Sequence, residues 1–293
     1  ERSGSNLKAK LILLAGVFSC SMSSAFFRYM TAPSTIAATY RLGWTVLLLT
    51  PLIFSKRETR KELLSLKGKD LAFCGLSGLF LAMHFVVWFE SLSNTSIASS
   101  TVLVNTEVAF AAFGYLIFFG KKIRKKEILA IGIAFLGSVV IAMADTGGGA
   151  GKNAVLGDIL ALLAAFFSAC YTLIGTRERS HMSTMVYTYV LYWGCFLSLL
   201  VFDAVSGVPM TGYEPINWIM SLCLAVFCTL LGHSVFSWSL KFLTPTYVST
   251  VKLAGPVFAS ISAILLFGEI PGLIQVAGAA VVLAGVYLYA KNS

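Results

Sequence analysis

The chain consists of long apolar runs separated by short polar segments. Ten of these runs are long enough to cross a bilayer, because a hydrocarbon core of about 30 Å needs roughly 20 apolar residues in a helix. The predicted spans are 11–30, 34–54, 71–91, 96–118, 127–144, 157–175, 184–203, 216–239, 246–267 and 271–290. Several connections are only a few residues long, so neighbouring helices should be antiparallel and in contact. The pattern predicts an all-α integral membrane protein with ten transmembrane helices.

Composition supports this prediction and excludes other classes of protein. Of the 293 residues, 57% are hydrophobic and 12% are charged, whereas an ordinary soluble domain has about 25% charged residues. The net charge of +9 could indicate nucleic-acid binding, but the basic residues form short clusters between apolar runs, so we expect no nucleic-acid partner. The six cysteines lie inside apolar runs without the spacing of a disulfide framework or a zinc site. We therefore expect no metal and no cofactor.

The positions of Lys and Arg predict the orientation in the membrane. If the N-terminus is cytoplasmic, eighteen of the 22 basic residues fall on the cytoplasmic side, including six between Lys56 and Lys69 and five in the segment KKIRKK at 121–126. The opposite side receives Lys152. Because an excess of positive charge is typical of cytoplasmic loops, both termini are predicted to be cytoplasmic.

The two halves of the sequence resemble each other. Identical residues recur at an offset of 149, and after a one-residue slip at an offset of 148. The pairs include Ser19 and Ser168, Tyr40 and Tyr189, Trp44 and Trp193, His84 and His233, and then Gly120 and Gly268, Gly137 and Gly285. This predicts a duplicated five-helix unit with halves at 1–148 and 149–293. Because five is odd, the halves must have opposite orientations, an arrangement typical of secondary transporters, whose substrates bind near the midplane where the repeats meet.

Three segments also resemble a known family. They are SLSNTSIASSTVLV at 91–104, SLKFLTPTYVSTVKLAGPVF at 239–258 and FGEIPGLIQVAGAAVVLAG at 267–285. Together they resemble the paired repeats of the drug/metabolite transporter superfamily, specifically its bacterial EamA-type ten-helix branch. The first half departs from the family pattern at Val108, Lys121 and Ala130, where proline, glutamate and glycine are usual. The resemblance implies two EamA-like repeats in a bacterial plasma membrane, and a carrier of amino acids, other small metabolites or drugs, commonly outward.

Glu107 and Lys252 are the first candidates for substrate binding. An ionised side chain at mid-bilayer costs at least about 2.5–3.5 kcal/mol, so a partner, a wet cavity or a ligand should compensate it. The two lie in spans four and nine, which are repeat partners, and they could bind the two ends of a zwitterion. Alternatively they pair with each other, or with Arg41, and hold the bundle together. Pro256 predicts a kink in span nine because it removes a backbone hydrogen bond.

The remaining candidates are aromatic or titratable. His84 and Trp88 are four residues apart and should share one face of span three. His84 and His233 could take part in proton coupling, since imidazole titrates near physiological pH, although a histidine on a helix is more often hydrogen-bonded within a bundle. Tyr40 with Trp44 and Tyr189 with Trp193 form two Tyr-x-x-x-Trp pairs that could line a pocket or belong to interfacial aromatic belts. The predicted binding residues are Glu107, Lys252, His84, Trp88, Trp44, Trp193, Tyr189, His233 and Arg41, with Pro256 as a hinge.

These observations favour a secondary active or facilitative transporter of small polar or zwitterionic metabolites, with amino acids the first candidates and export the expected direction. Carriers of organic cations, amines or drugs, or of nucleotide-type and sugar-phosphate anions, are the alternatives, and a channel is less favoured because the charges are few and scattered. The chain lacks the P-loop pattern GxxxxGK[ST] and a clustered set of catalytic groups, so no enzymatic activity is expected. Candidate partners are a small-molecule substrate, protons, the lipid bilayer and a second copy of the chain.

Overall fold

The structure, a computed structural model, describes residues 2–27, 29–95, 100, 103–120, 122–144, 153–267 and 272–292. The motif residues 96–99, Lys121, Lys152, Gly268 and Glu269 lie outside the described residues. Within these ranges the regular elements are helices: α1 (Arg2–Ser21), α2 (Ser23–Phe27), α3 (Ser34–Ser55), α4 (Arg57–Leu64), α5 (Gly68–Asn94), α6 (Glu107–Phe119), α7 (Lys125–Ala144), α8 (Ala154–Glu178), α9 (Thr184–Ser206), α10 (Pro215–Cys223), a π-helix (Leu224–His233), α11 (Ser234–Ser239), α12 (Pro245–Lys252), α13 (Gly255–Phe267) and α14 (Leu273–Asn292).

Among the residues that the structure describes, six helical stretches are long and apolar enough to cross a membrane: Leu7–Phe27, Ser34–Ser55, Gly68–Ser91, Val155–Glu178, Thr184–Ser206 and Pro215–Ser239. Glu107–Phe119 and Val276–Tyr289 are shorter apolar helices. Large apolar side chains face outward along the bundle, for example Leu273, which is 90% exposed, and Val205, which is 84% exposed. A surface of this kind suits a lipid environment rather than water.

Local signals in the sequence define where several helices begin. The side chains of Asn153, Ser183 and Thr244 accept hydrogen bonds from backbone N–H groups at the starts of α8, α9 and α12. Such N-caps satisfy donors that have no partner within the helix. Pro215 and Pro245 occupy first-turn positions, where the absent proline N–H costs no helical hydrogen bond.

The ends of the helices form two sets of contacts. At one end, the Ser183 N–H donates to Glu62 Oε1 at 2.6 Å, and Arg124 Nη1 donates to the Asn292 carbonyl at 3.1 Å. At the other end, Thr95 donates to Asp158 at 2.8 Å, and the Tyr40 hydroxyl donates to the Met210 carbonyl. The first set joins the segments that the sequence analysis assigns to the basic, cytoplasmic side.

Among the described residues, two helical stretches are interrupted at a turn of two residues. Residues 103–104 are helical, Asn105 and Thr106 form a turn, and α6 then begins at Glu107. In the same way α12 ends at Lys252, Leu253 and Ala254 form a turn, and α13 begins at Gly255. The kink predicted from Pro256 is therefore a break that precedes the proline. Pro256 is the second residue of the new helix, where its ring starts a helix instead of bending one.

Helices α6 and α12 pack against each other. This contact brings the start of α6 next to the end of α12, and α8 packs against both. The stretch from Pro215 to Ser239 is helical throughout but contains the π-helix Leu224–His233, which packs against α1 and α3. Short π-helical segments are frequently found at functional sites.

Candidate functional site

A cavity of about 150 Å³ lies where the two broken helices meet. Its walls come from α1, α2, α3, α5, α6, α8, α11, α12, the π-helix and the turns at the two breaks. The residues that line it include Cys20, Ser23, Arg41, His84, Phe85, Trp88, Asn105, Glu107, Ser168, His233, Phe236, Ser249 and Lys252. Since an apolar cavity of about 150 Å³ can hold benzene, this space has room for a ligand of about six non-hydrogen atoms.

Glu107 and Lys252 form an ion pair in this cavity. Lys252 Nζ lies 2.7 Å from Oε1 and 2.6 Å from Oε2 of Glu107. Ser249 Oγ donates to Oε1 at 3.0 Å, and Ser168 Oγ donates to Oε2 at 2.8 Å. Glu107 is 7% exposed, so its charge is held by four hydrogen bonds inside the bundle. The Lys252 ammonium also lies 5.4 Å from the centre of the Phe236 ring, within the range of a cation–π contact.

Helix polarity favours each charge where it stands. Glu107 is the first residue of α6 and Lys252 is the last residue of α12. The N-terminus of a helix carries partial positive charge and the C-terminus partial negative charge, and each favourable placement contributes about 0.3–1 kcal/mol, or up to about 2 kcal/mol when partly buried. The two helix breaks therefore create the positions in which this pair is stable.

Arg41 reaches the cavity from α3 and is 4% exposed. Its Nε donates to Thr229 Oγ1, in the π-helix, at 2.6 Å. Its guanidinium carbon lies 4.9 Å from the centre of the Phe85 ring. Within the described chain, Arg41 Nη2 has no hydrogen-bond partner, and the salt bridges found there do not include Arg41.

The two histidines that lie 149 residues apart in the sequence, His84 and His233, both line the cavity. His84 Nδ1 lies 2.9 Å from the Ala164 carbonyl. A carbonyl accepts only, so this contact assigns the proton to Nδ1 and makes Nε2 of the neutral ring an acceptor. His233 Nδ1 lies 3.2 Å from the Tyr171 hydroxyl. The Trp88 ring stacks on His84 with 6.2 Å between centroids. These two residues, which are four positions apart in the sequence, therefore both lie at the cavity.

Three aromatic candidates lie in the described part of the chain but pack elsewhere. Trp44 contacts Trp218 edge-on, with ring centroids 6.4 Å apart. Tyr189 shares a hydrogen bond with the Thr50 hydroxyl at 3.1 Å and contacts Trp193, which also packs on Phe196. The repeated Tyr-x-x-x-Trp pairs therefore belong to helix packing in this structure, because sequence spacing identifies a shared face but not what the face contacts.

The cavity and its charged groups also have polar neighbours that are not among the binding residues predicted from the sequence: Asn105, Ser168, Ser249 and Thr229. A signal was present for Asn105, since Asn-Thr-Glu at 105–107 is a polar triplet inside an apolar run. Ser168 belongs to one of the repeated pairs. Serine and threonine are common in membrane helices, so sequence alone does not distinguish those that bind a carboxylate.

The chain is similar in sequence to proteins that are named as transporters or efflux pumps. The chain is 26% identical over 250 residues to an uncharacterized transporter of Archaeoglobus fulgidus, a match that covers 83% of this chain and 84% of that protein. It is 27% identical over 180 residues to a "Probable amino-acid metabolite efflux pump" of Salmonella typhimurium, covering 58% of this chain and 59% of that protein. A protein of the same name from Escherichia coli is 22% identical over 230 residues, covering 75% of this chain and 74% of that protein.

The fold also matches that of a solved structure described as "Crystal structure of protein", with a TM-score of 0.77, 16% sequence identity and coverage of 97% of both chains. The model of the EamA-like transporter family matches residues 7–143 and 155–290. These matches extend over most of the chain and include the residues of both broken helices. The chain therefore belongs to the EamA-like transporter family and is a membrane transporter.

Proposed function

We propose that this protein is a secondary carrier of small polar or zwitterionic metabolites, with amino acids as the first candidates and export as the direction. In this proposal ten spans form two inverted five-helix repeats, and alternating access exposes the cavity first to one side and then to the other. The observation that carries the proposal is the cavity itself. It contains a buried Glu107–Lys252 ion pair and the buried Arg41 side chain at the junction of two broken helices.

Broken helices support a carrier because they place helix ends inside the membrane. In many secondary transporters, discontinuous helices point their ends at the substrate near the midplane, at the interface between repeats. Here the two turns begin at Asn105 and Leu253, which are 148 residues apart. That spacing equals the offset of the repeat in this part of the sequence, which favours two repeats related by duplication.

Two further observations support the direction, the substrate class and the topology. The relatives from Salmonella typhimurium and Escherichia coli are named probable amino-acid metabolite efflux pumps. The segment that contains Glu62 contacts the one that contains Ser183, and the segment that contains Arg124 contacts the one that contains Asn292. These contacts support an arrangement with the basic segments at one end of the bundle. We propose that this end is cytoplasmic, in a bacterial plasma membrane, because cytoplasmic loops carry the excess of Lys and Arg.

The size of the cavity separates this proposal from two of its alternatives. A space of about 150 Å³ accommodates about six non-hydrogen atoms, the size of alanine. Sugar phosphates and nucleotides are much larger, so in this conformation they do not fit. A channel would require a continuous polar path, and a space of this volume suits a site that binds one molecule at a time.

Counterflow in proteoliposomes tests the carrier. Vesicles preloaded with an unlabelled amino acid should take up the labelled compound transiently above equilibrium, with saturable kinetics. Glu107→Gln and Lys252→Met should insert into the membrane but lose this flux, whereas Glu58→Gln, at an exposed position in α4, should retain it. Normal flux in both cavity variants would reject their role, and single-channel conductance would replace the carrier with a pore.

Proton coupling through His84 and His233 is part of the same proposal. An imposed pH gradient should then drive accumulation of substrate in liposomes. Replacement of either histidine by Gln should weaken that response while leaving counterflow measurable. A parent protein that exchanges substrate but does not respond to the gradient would be a facilitator.

A further inference from the structure

The hydrogen-bond acceptors and donors of the cavity differ in how far they are satisfied. A carboxylate offers about four acceptor positions, and Glu107 already accepts four bonds from Lys252, Ser249 and Ser168. Its charge and its lone pairs are therefore occupied within the protein. In this conformation Glu107 has little left to offer an ammonium group of a substrate.

Among the described residues, the buried groups in this cavity that are left without a hydrogen-bond partner are donors. In the part of the chain that the structure describes, three buried nitrogens that belong to residues lining the cavity have no acceptor: Arg41 Nη2, Trp88 Nε1 and Asn105 Nδ2. A buried donor without an acceptor costs about 1–3 kcal/mol, and more when the group is charged. All three donors would be satisfied by the same kind of ligand group, one that accepts hydrogen bonds and does not donate them.

The charges of the residues that line the cavity also favour a ligand that accepts hydrogen bonds, and in particular an anion. The ionised residues that line the cavity are Arg41, Lys252 and Glu107, so two cations face one carboxylate and the cavity carries a net charge of +1. Lys252 is neutralised by Glu107. Of the two cations in the cavity, Arg41 is therefore the one that forms no salt bridge among the described residues. A buried charge without a countercharge is strongly destabilising.

Other groups near Arg41 do not compensate it. Thr229 accepts from Arg41 Nε through a neutral hydroxyl, and Phe85 contributes the face of its ring. The buried carboxylate of Asp203 accepts from Thr39 and is not among the residues that line the cavity. The hydroxyl and the aromatic ring orient the guanidinium, but among the described residues its Nη2 is left without a hydrogen-bond acceptor.

We propose that the cavity contains an anion subsite in which Arg41 is the countercharge for the carboxylate of a small substrate, and Asn105 and Trp88 are additional donors. Arginine suits this role because its planar fork matches the two oxygens of a carboxylate. This proposal rests on the carrier function above and narrows its substrate class. A carboxylate is required, an ammonium group is tolerated, and a small organic cation without a carboxylate is excluded.

Three compounds of six non-hydrogen atoms each make a matched test. L-Lactate has a carboxylate without an ammonium, L-alanine has both, and L-alaninamide keeps the ammonium but replaces the carboxylate with an amide. Thermal stability of the purified parent protein should rise with lactate and with alanine and stay unchanged with alaninamide, because ligands that bind the native state stabilise it. Counterflow should rank the three compounds in the same way.

Variants of Arg41 separate binding from a structural role. Arg41→Met should weaken lactate binding by at least about thirtyfold, since loss of one partner of a buried charge pair costs about 2 kcal/mol or more and 1.4 kcal/mol is tenfold. Arg41→Lys keeps the charge without the fork and should recover part of that loss. The stability of Arg41→Met without ligand should equal or exceed that of the parent. Arg57→Met, at an exposed position in α4, is the control and should bind as the parent does.

Several results would overturn the anion subsite. They are stabilisation by alaninamide equal to that by lactate, parent-like lactate binding by Arg41→Met, a loss of ligand-free stability in Arg41→Met, and no stabilisation of the parent by any of the three compounds. The carrier function is judged separately. Saturable counterflow of any amino acid by the parent keeps the carrier even when the subsite fails, and its absence removes both.

Discussion

The two helix breaks beside the cavity have similar backbones and opposite charges. After the turn at Asn105 and Thr106, α6 begins with an acid, Glu107. Before the turn at Leu253 and Ala254, α12 ends with a base, Lys252. Both breaks are single turns that separate helical residues, and they supply the two members of one ion pair.

The positions equivalent by the 148-residue spacing show how the two breaks differ. The counterpart of Glu107 is Gly255, and the counterpart of Lys252 is Val104. Each half therefore contributes one charge and one neutral residue. The acid stands at a helix start and the base at a helix end, as helix polarity favours. A scaffold with two similar breaks can thus hold an asymmetric site, and the asymmetry lies in a few side chains.

The largest expected effect comes from removing one member of the pair. Glu107→Gln or Lys252→Met leaves a buried charge without its partner, and breaking a buried pair in this way costs about 3–5 kcal/mol of stability. The double variant Glu107→Gln with Lys252→Met should lose less than the sum of the two single losses, since neither charge remains. Unfolding by sodium dodecyl sulfate in mixed micelles measures the three losses. Strictly additive losses would show that the two breaks are not coupled through this pair.

Much of this arrangement is visible in the sequence, and some of it is not. The membrane class follows from the apolar runs, and the interest of Glu107 and Lys252 follows from the cost of charge in lipid. The family follows from the three segments that resemble its repeats. The break at Leu253 does not, because 246–267 is a continuous apolar run and a proline predicts a kink at its own position. The sequence also left the partner of Glu107 open between Lys252 and Arg41. Periodicity identifies which residues share a face, whereas pairing depends on depth and on the neighbouring helix.

The next effect concerns glycines at equivalent positions of the two halves. Gly137 in α7 and Gly285 in α14 lie where these helices pack together. A Cβ atom at Gly137 would lie 2.6 Å from the Val282 nitrogen and 2.8 Å from the Gly278 carbonyl oxygen, and one at Gly285 would meet the backbone of Ala134. Close approach of membrane helices through small residues is common. Gly137→Ala should therefore cost about 1–3 kcal/mol, as overpacking does.

Gly132 provides the matched control on the same helix. A Cβ atom there would meet nothing within 4 Å, and alanine is a better helix former than glycine by about 1 kcal/mol. Gly132→Ala should leave the stability of the protein equal or slightly higher in the same unfolding assay. Equal losses at Gly132 and Gly137 would show that the glycine contact between α7 and α14 does not stabilise the bundle.

A smaller effect distinguishes charge from helix polarity. Exchanging the charges, with Glu107→Lys and Lys252→Glu in one protein, restores an ion pair but puts a cation at the start of α6 and an anion at the end of α12. The exchanged protein should be more stable than either single substitution. It should still be less stable than the parent by at least about 1 kcal/mol, because at each helix end a favourable contribution of about 0.3–1 kcal/mol becomes an unfavourable one of similar size. Full recovery of parental stability would mean that the start of α6 and the end of α12 do not favour one sign of charge over the other.

The smallest expected effect compares the two serines that donate to Glu107. Ser249 lies in α12, beside Lys252, and Ser168 comes from α8. Each of Ser168→Ala and Ser249→Ala removes one hydrogen bond and leaves the ion pair in place. Polar contacts between membrane helices are worth about 0.6 kcal/mol on average, with a maximum near 1.7 kcal/mol, so each loss should fall in that range. Ser198→Ala, where the hydroxyl donates only to the Gly194 carbonyl of its own helix, is the control and should change stability less. A loss at either cavity serine as large as that of Lys252→Met would mean that hydrogen bonding by serine, rather than the countercharge, holds Glu107 ionised in the bundle.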